Sequence, residues 1–275
     1  MNASESSRLP IGVFDSGVGG LTVLHAIRES LPNEDLVYLG DTARLPYGTK
    51  SPASISRYAC QATARLQEQG IKLLVVACNT ASAVALGELR RQMNPMPVVG
   101  VVEPGATAAV ESRPGGRHLV LATEATVILG AYRNAIAERD PDAEVQELAC
   151  ELLVSLAEEG WTTGAIAEDV VRRYLEPLEK MAFEPDNIIL GCTHFPLLRD
   201  AISKVASAGT LIVDSASTTA AVAARVLAEN RLLNEHSRAG ALRLLATDGA
   251  TRFARVGGQF LGEDLSVEDV ELIDL

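Results

Sequence analysis

The amino-acid sequence predicts an α/β protein built on mostly parallel sheet. Short, continuous apolar runs recur along the 275 residues, and helical patterns separate most of them. Strands that are buried on both faces have such continuous apolar runs, and alternation with helices is typical of parallel sheets covered on both sides. The hydrophobic content of 47% is enough for one large or two modest cores. In such sheets, ligands bind beyond the carboxyl ends of the strands.

The first elements follow a strand, turn, helix order. Residues 9–14 predict a strand that ends in the polar turn Asp15-Ser16-Gly17, and a helical pattern begins after Gly19-Gly20. Residues 36–39 predict a second strand. A helix then follows, with Ser51 as N-cap, Pro52 at its first position and Gly70 after its end.

The same alternation continues to the C-terminal part of the chain. Residues 73–77 form a continuous apolar strand, followed by a helical pattern through Ala81, Val84 and Leu89. Further strands are predicted at residues 98–102, 119–122, 145–148, 188–190, 211–213 and 242–245. Two of these units resemble each other, because residues 73–80 and 188–194 both run from an apolar strand through a small residue to Cys and a polar residue. A duplicated α/β unit facing its copy across a cleft would explain this similarity.

Composition and charge restrict the possible partners. The formal net charge is −12, so the positive surface of a nucleic-acid-binding protein is missing and we expect no nucleic-acid partner. No apolar run reaches membrane-spanning length, and residues 1–9 are polar. We therefore expect a soluble, cytoplasmic protein with a small-molecule substrate and no membrane partner.

Two of the four cysteines are candidate catalytic bases. Cys78 and Cys192 each follow an apolar strand, where a helix N-terminus favours the thiolate. Inversion at a carbon requires one base on each face, and two thiols in matched positions meet that requirement. Buried cysteines more often only fill space, and this is our interpretation of Cys60 and Cys150.

Other interpretations of these residues remain open. A zinc site formed by Cys78, Cys192 and His194 lacks a further ligand at the usual spacing, so we expect no metal. A redox protein would need the two sulfurs close enough to bond. We interpret the remaining histidines as surface or structural residues; they are His25, His118 and His236.

Four segments of this chain resemble the signature motifs of the glutamate racemase family. They are Phe14-Asp15-Ser16-Gly17-Val18-Gly19-Gly20, Gly40-Asp41-Thr42-Ala43-Arg44 with Pro46-Tyr47-Gly48, Ala77-Cys78-Asn79-Thr80-Ala81, and Gly191-Cys192-Thr193-His194-Phe195-Pro196. The resemblance runs from about residue 11 to residue 215. Aspartate and hydantoin members of the wider superfamily usually carry Glu at the position of His194.

The resemblance implies two pseudo-symmetric α/β domains with mostly parallel sheets and the active site in the interdomain cleft. The first domain would comprise residues 1–99 plus 211–275, and the second residues 100–210. The implied activity is interconversion of L- and D-glutamate without a cofactor, which supplies D-glutamate for peptidoglycan. We also expect a homodimer.

The resemblance also assigns catalytic roles. Cys78 would act on D-glutamate with support from Asp15, and Cys192 would act on L-glutamate with support from His194. Glu158 matches a further supporting carboxylate, although Glu151 and Ser155 replace two prolines of that family motif. If the register slipped, Glu151 would be a competing candidate.

The implied substrate contacts are mostly neutral donors at strand ends and helix starts. They are Asp15, Ser16, Tyr47, Gly48, Asn79, Thr80, Thr123, Thr126, Thr193 and His194. Rival functions are a related racemase acting on aspartate, a hydantoin or another dicarboxylate, a two-cysteine redox protein, and a catalytically silent regulatory binder.

Overall fold

The computed structural model describes residues 6–235 and 237–275. The prediction for His236 lies outside the described residues. The first five residues of the polar segment 1–9 also lie outside them. The chain forms two compact units, Met1–Val101 with Ala216–Leu275, and Val102–Ser215.

In the first unit, the chain runs through β1 (Ile11–Asp15), α1 (Leu21–Ser30), β2 (Leu36–Gly40), α2 (Pro52–Glu68), β3 (Leu73–Val76), α3 (Asn79–Met93) and β4 (Val98–Gly100). The second unit contains α4 (Val102–Ser112), β5 (Arg117–Ala122), α5 (Glu124–Ile128), α6 (Ala131–Ala137), β6 (Glu144–Ala149), α7 (Glu151–Glu158), α8 (Ala165–Lys180), β7 (Asn187–Gly191), α9 (Arg199–Val205) and β8 (Leu211–Asp214). The chain then continues through α10 (Ser215–Glu229), β9 (Leu242–Ala246), α11 (Ala250–Leu261) and β10 (Val270–Leu272).

Each unit has its own parallel sheet. The first sheet has the strand order β10-β9-β2-β1-β3-β4, and the second has the order β6-β5-β7-β8. Neighbouring strands pair in parallel throughout both sheets. The predicted α/β class is therefore confirmed.

Buried strands and the inner faces of helices form a core in each unit. In the first unit, Phe14 of β1 and Leu74 and Val76 of β3 pack with apolar residues of α2 and α3. In the second unit, Val120 of β5 and Ile189 of β7 pack with residues of α4 and α6. Burial of this apolar surface holds the strand ends, and the polar residues that follow them, in fixed positions.

Helix α2 begins and ends where the sequence predicts. The Ser51 hydroxyl accepts a hydrogen bond from the Ser54 amide at 3.4 Å, and Pro52 occupies the first turn. Gly70 follows the helix with a φ of +70°, a backbone conformation that glycine adopts without strain.

The structure differs from the sequence prediction at one strand and at the unit boundaries. Strand β10 was not predicted, because Val270-Glu271-Leu272 is short and two of its three residues are exposed. Strand β4 pairs with β3, so Gly100 belongs to the first unit. Strand β8 pairs with β7, and therefore residues 211–215 belong to the second unit, not to the first as the resemblance implied.

Within residues 6–235 and 237–275, no helix combines the length and the apolar character needed to cross a bilayer.

Candidate active site

Cys78 lies at the carboxyl end of β3 and is the N-cap residue of α3. Its sulfur accepts a hydrogen bond from the Ala81 amide at 3.4 Å and lies 3.5 Å from the Ser16 hydroxyl. The side chain is almost buried, at 6% exposure. The first turn of a helix stabilises negative charge at this position, so the local backbone favours a thiolate.

Asp15 and Ser16 begin the turn between β1 and α1 in the same unit. The Asp15 carboxylate is buried and accepts a hydrogen bond from the Gly17 amide at 2.9 Å. A methyl group added at Gly20 would lie 2.5 Å from the Asp15 Cβ and 3.0 Å from the Ala77 Cβ. This close packing holds Asp15 beside the strand end that carries Cys78.

Asn79 and Thr80, two of the predicted substrate contacts, form the start of α3 directly after Cys78. Both residues are buried. Gly48 is also buried and lies in the 3₁₀ turn Tyr47–Thr49. The structure therefore groups the predicted residues of the first unit at the carboxyl ends of its strands.

Tyr47 is buried, and its hydroxyl is already engaged within the protein. The phenol donates a hydrogen bond to the Asp41 carboxylate at 2.5 Å. Burial raises the pKa of Tyr47, as does the negative charge of Asp41, so the hydroxyl remains a donor. A substrate contact from this segment would therefore come from the backbone of Tyr47 and Gly48.

Cys192 follows β7 in the second unit, and its surroundings differ from those of Cys78. The chain after it forms the 3₁₀ turn Phe195–Leu198 instead of entering an α-helix directly. Its sulfur lies 3.8 Å from the His194 Nδ1 atom. The matched helix N-termini expected from the sequence are therefore wrong for Cys192, where a ring nitrogen takes the place of the first helical turn.

His194 connects Cys192 to Glu158. The His194 Nε2 atom lies 3.1 Å from the Glu158 carboxylate, which is at the last residue of α7. Burial alone would lower the pKa of His194, but hydrogen bonds to Cys192 and Glu158 and the negative charges of both partners outweigh it. They raise the pKa from its ordinary value of 6.5 to about 10. His194 is therefore an imidazolium at neutral pH.

The two proline replacements do not move Glu158 away from His194. Helix α7 begins at Glu151, whose side chain accepts a hydrogen bond from the Glu124 amide at 2.5 Å. Glu151 thus ties the start of α5 to the start of α7, and Glu158, at the other end of α7, contacts the histidine.

Threonines complete the predicted residues of the second unit. The hydroxyls of Thr123 and Thr126 lie 3.1 Å apart at the start of α5, after strand β5. The Thr193 hydroxyl lies 3.4 Å from the His194 Nδ1 atom. Like the residues of the first unit, these side chains follow the carboxyl ends of strands.

Comparison with known proteins identifies the family. The model of the Asp/Glu/Hydantoin racemase family matches residues 11–223. A glutamate racemase from Geobacter metallireducens is 47% identical over 93% of this chain and 93% of its own length. The chain belongs to the Asp/Glu/Hydantoin racemase family.

Solved structures of this family have the same fold. A Francisella tularensis glutamate racemase in complex with D-glutamate matches with a TM-score of 0.89 and 36% identity over 98% of both chains. A Thermus thermophilus glutamate racemase in complex with β-chloro-D-alanine matches with a TM-score of 0.87 and 42% identity over 98% of both chains. The chain is an isomerase of the amino-acid racemase class.

In this racemase, a buried carboxylate that the sequence analysis did not assign to the site anchors the loop bearing Tyr47 and Gly48. Besides the tyrosine, Asp41 accepts hydrogen bonds from the Arg44 Nε atom at 2.7 Å and from the Thr247 hydroxyl at 3.1 Å. Asp41 directly follows β2, and Asp15 is the last residue of β1, so its position at a strand end was the available signal. Thr247 is 206 residues away in sequence, and no local pattern indicates that contact.

The other two cysteines of the racemase do not share these surroundings. All four thiols are free. Cys150 is completely buried, and burial together with the nearby Cys192 and Glu151 raises its pKa. Burial also raises the pKa of Cys60, which lies within α2. Among residues 6–235 and 237–275, no group of three or more His, Cys, Asp or Glu residues is arranged to hold a metal ion.

Proposed function

We propose that this protein is a cofactor-independent glutamate racemase in which Cys78 and Cys192 act as the two bases. The observation that carries the proposal is that each unit presents one thiol at a strand end with its own polar partners. Ser16 and the Ala81 amide contact Cys78, whereas His194 contacts Cys192. The named relatives, which are glutamate racemases over almost the whole chain, support glutamate as the substrate.

In the direction from L-glutamate, the Cys192 thiolate removes the α-proton and becomes a thiol. The electron pair of the broken C–H bond remains on the substrate as a carbanion, which takes a proton from the Cys78 thiol on the opposite face. The direction from D-glutamate exchanges these roles. Both sulfurs must therefore reach the same α-carbon, and the interdomain cleft expected from the sequence remains part of this proposal.

The charge of His194 gives Cys192 a partner suited to this work. An imidazolium beside a sulfur stabilises the thiolate that removes the proton. Glu158, 3.1 Å from the far side of the ring, stabilises the imidazolium in turn. At Cys78 the corresponding stabilisation comes from the Ala81 amide and the N-terminus of α3.

Neutral donors are assigned to the two substrate carboxylates. The first turn of α3 offers backbone N–H groups and the Asn79 and Thr80 side chains, and the second unit offers the hydroxyls of Thr123, Thr126 and Thr193. The α-proton is a very weak acid, so donors placed around the α-carboxylate must stabilise the developing charge by several kcal/mol. We further expect a homodimer, a cytoplasmic location and a role in supplying D-glutamate for peptidoglycan.

One assay tests the activity and the chemistry together. The purified protein is incubated with L-glutamate in deuterium oxide without added cofactor, and chiral chromatography with mass spectrometry follows the products. We expect D-glutamate that carries deuterium at the α-carbon. Product formation without label would refute proton transfer, and no turnover would refute the function.

Two variants test the bases. Cys78→Ser and Cys192→Ser should each reduce racemisation by at least about a thousandfold, because a serine hydroxyl is a far weaker acid than a thiol. Cys60→Ser is the matched control and should retain full activity. Unchanged activity in either site variant would remove that residue from the mechanism.

A substrate panel tests specificity. L-aspartate, a hydantoin and other dicarboxylates are compared with L-glutamate under the same conditions. We expect turnover of glutamate to exceed that of each competitor, and a preference for aspartate would contradict the proposed substrate.

A further inference from the structure

Tyr38 is a buried polar residue behind the site of the first unit, and the mechanism above does not use it. It lies on β2, where it pairs in register with Val13 of the adjacent strand β1. Its side chain is completely buried, and its ring lies edge-on to Phe253 with the ring centroids 6.0 Å apart. The ring therefore has a fixed position between the sheet and α11.

The hydroxyl of Tyr38 binds the turn that follows β1. It donates a hydrogen bond to the Gly17 carbonyl at 2.8 Å. The hydroxyl thus satisfies the carbonyl at the start of the segment from Gly17 to Gly20, where the chain turns from β1 into α1.

This turn carries the groups next to Cys78. The Gly17 amide donates to the Asp15 carboxylate at 2.9 Å, and the Ser16 hydroxyl lies 3.5 Å from the Cys78 sulfur. A displacement of the Gly17 peptide would therefore move the Asp15 carboxylate and the Ser16 hydroxyl that lies beside the thiol.

The surroundings leave the Gly17 carbonyl little free space. A methyl group added at Gly40 would lie only 2.3 Å from the Gly17 carbonyl oxygen, so the strand backbone closely approaches the oxygen that Tyr38 binds. The approaching Gly40 backbone occupies the space beside this carbonyl, and the phenol hydroxyl is the donor that satisfies it.

We propose that Tyr38 is a positioning residue for proton transfer at Cys78: its hydroxyl holds the turn from Asp15 to Gly20 at the distance from the sulfur that this half of the reaction requires. The inference rests on the proposed function and assigns Tyr38 no contact with substrate. It predicts that loss of the hydroxyl slows the Cys78 step and leaves the Cys192 step intact.

The hydroxyl keeps its proton throughout the working pH range. Burial raises the pKa of Tyr38 well above its ordinary value, and the nearby Asp15 and Cys78 raise it further, against a smaller opposing effect of the Gly20 hydrogen bond. The donor role therefore does not depend on pH, and the variant that tests it needs only to remove the oxygen.

Tyr38→Phe is the decisive variant. The two glutamate enantiomers have equal free energy, so kcat/KM must fall equally in both directions, and we expect a loss of about tenfold, equivalent to about 1.4 kcal/mol. The informative measurement is the primary isotope effect on kcat/KM with α-deuterated D-glutamate and α-deuterated L-glutamate. We expect the effect to rise for D-glutamate, where Cys78 breaks the C–H bond, and to fall towards unity for L-glutamate.

Tyr58→Phe is the matched control, because Tyr58 lies in the same unit. Its hydroxyl has no hydrogen-bond partner in the described part of the chain. We expect its isotope effects to equal those of the wild type. Phe253→Leu, which loosens the ring of Tyr38 but keeps the hydroxyl, should shift both isotope effects in the same direction as Tyr38→Phe and by less. It also tests the inference if Tyr38→Phe fails to fold.

The possible outcomes distinguish the proposed role of Tyr38 from the proposed racemase function. A wild-type protein without racemisation refutes the proposed function. A racemising wild type, together with a Tyr38→Phe variant that is less stable but has unchanged isotope effects, overturns the inference and leaves the function standing. Equal changes of the isotope effect in both directions would also overturn it.

Discussion

Removing the charge of Glu158 should lower the pKa of His194 while the contact between them remains. Glu158→Gln is nearly isosteric, and the amide oxygen can still accept a hydrogen bond from the imidazole nitrogen 3.1 Å away. Both side chains are largely buried, with exposures of 19% for Glu158 and 12% for His194, so solvent screens the pair only in part.

The magnitude follows from the difference between a charged and a neutral acceptor. A hydrogen bond to a charged group contributes about 1.5–3 kcal/mol, against about 1 kcal/mol for a neutral one. One pKa unit corresponds to about 1.4 kcal/mol. We therefore expect the pKa of His194, about 10 in the wild type, to fall by about one unit in Glu158→Gln. Since a fall of about one unit leaves His194 protonated at neutral pH, racemisation there should change little, and its decline as the pH is raised should begin at a lower pH than in the wild type.

The assay is an NMR titration of isotope-labelled histidine, with racemisation rates measured on the same samples. Glu159→Gln is the control. Glu159 is the exposed neighbour of Glu158, and its substitution removes the same charge from the end of α7. It should leave the pKa of His194 unchanged. A His194 pKa that is the same in Glu158→Gln as in the wild type would refute the assignment of Glu158 as the stabilising partner.

The same pair predicts a pH dependence of stability. The folded pKa of His194 lies above the ordinary value of 6.5, so the imidazolium contributes to the free energy of unfolding in full below about pH 6.5. That contribution is lost as the pH rises through about 10. Urea unfolding between pH 6 and 10 should show this decline, and His194→Asn should show a smaller one. An equal decline in both proteins would contradict the prediction.

Two further changes test the packing of the first unit. Gly40→Ala should destabilise the protein by at least about 1–3 kcal/mol, because its methyl group would meet the Gly17 carbonyl oxygen. Gly87→Ala should instead stabilise it by about 0.5–1 kcal/mol, because the added methyl group has open space within α3. Equal unfolding midpoints in urea for the two variants would contradict this reasoning. Lys72→Met should cost about 3–5 kcal/mol, because it leaves the carboxylate of its buried partner Glu34 without a counter-ion. Adding Glu34→Gln should restore part of that loss, and a double variant as unstable as the single one would refute the ion-pair explanation.

The sequence predicts the parts of this fold that depend on local pattern. Apolar patterns predict nine of the ten strands in the described residues, and most of these nine are buried on both faces; β6, with the sequence EVQELA, is partly exposed. The polar cap at Ser51 and the glycine at Gly70 marked the ends of α2 for equally local reasons. Strand β10 has no such run, and its pairing with β9 depends on the sheet already being present.

The candidate site was predictable in its residues but not in its contacts. The position of Cys78 before a helix could be read from the strand and helix patterns. The 3₁₀ turn after Cys192 could not, because Pro196 near its start is equally compatible with the first turn of an α-helix. The engagement of the Tyr47 hydroxyl with Asp41 is likewise a product of tertiary packing.

Complete burial of Cys150 has a practical consequence for covalent ligands. An electrophile must reach a sulfur that is both accessible and ionised, and Cys150 is neither, because it has no exposed surface and its pKa is raised. A haloacetamide applied at neutral pH should therefore leave the Cys150 peptide unmodified in a mass spectrum of the native enzyme. Covalent inhibitors of this protein can then be compared by the number of adducts per chain, because Cys150, the third thiol at a strand end, adds none.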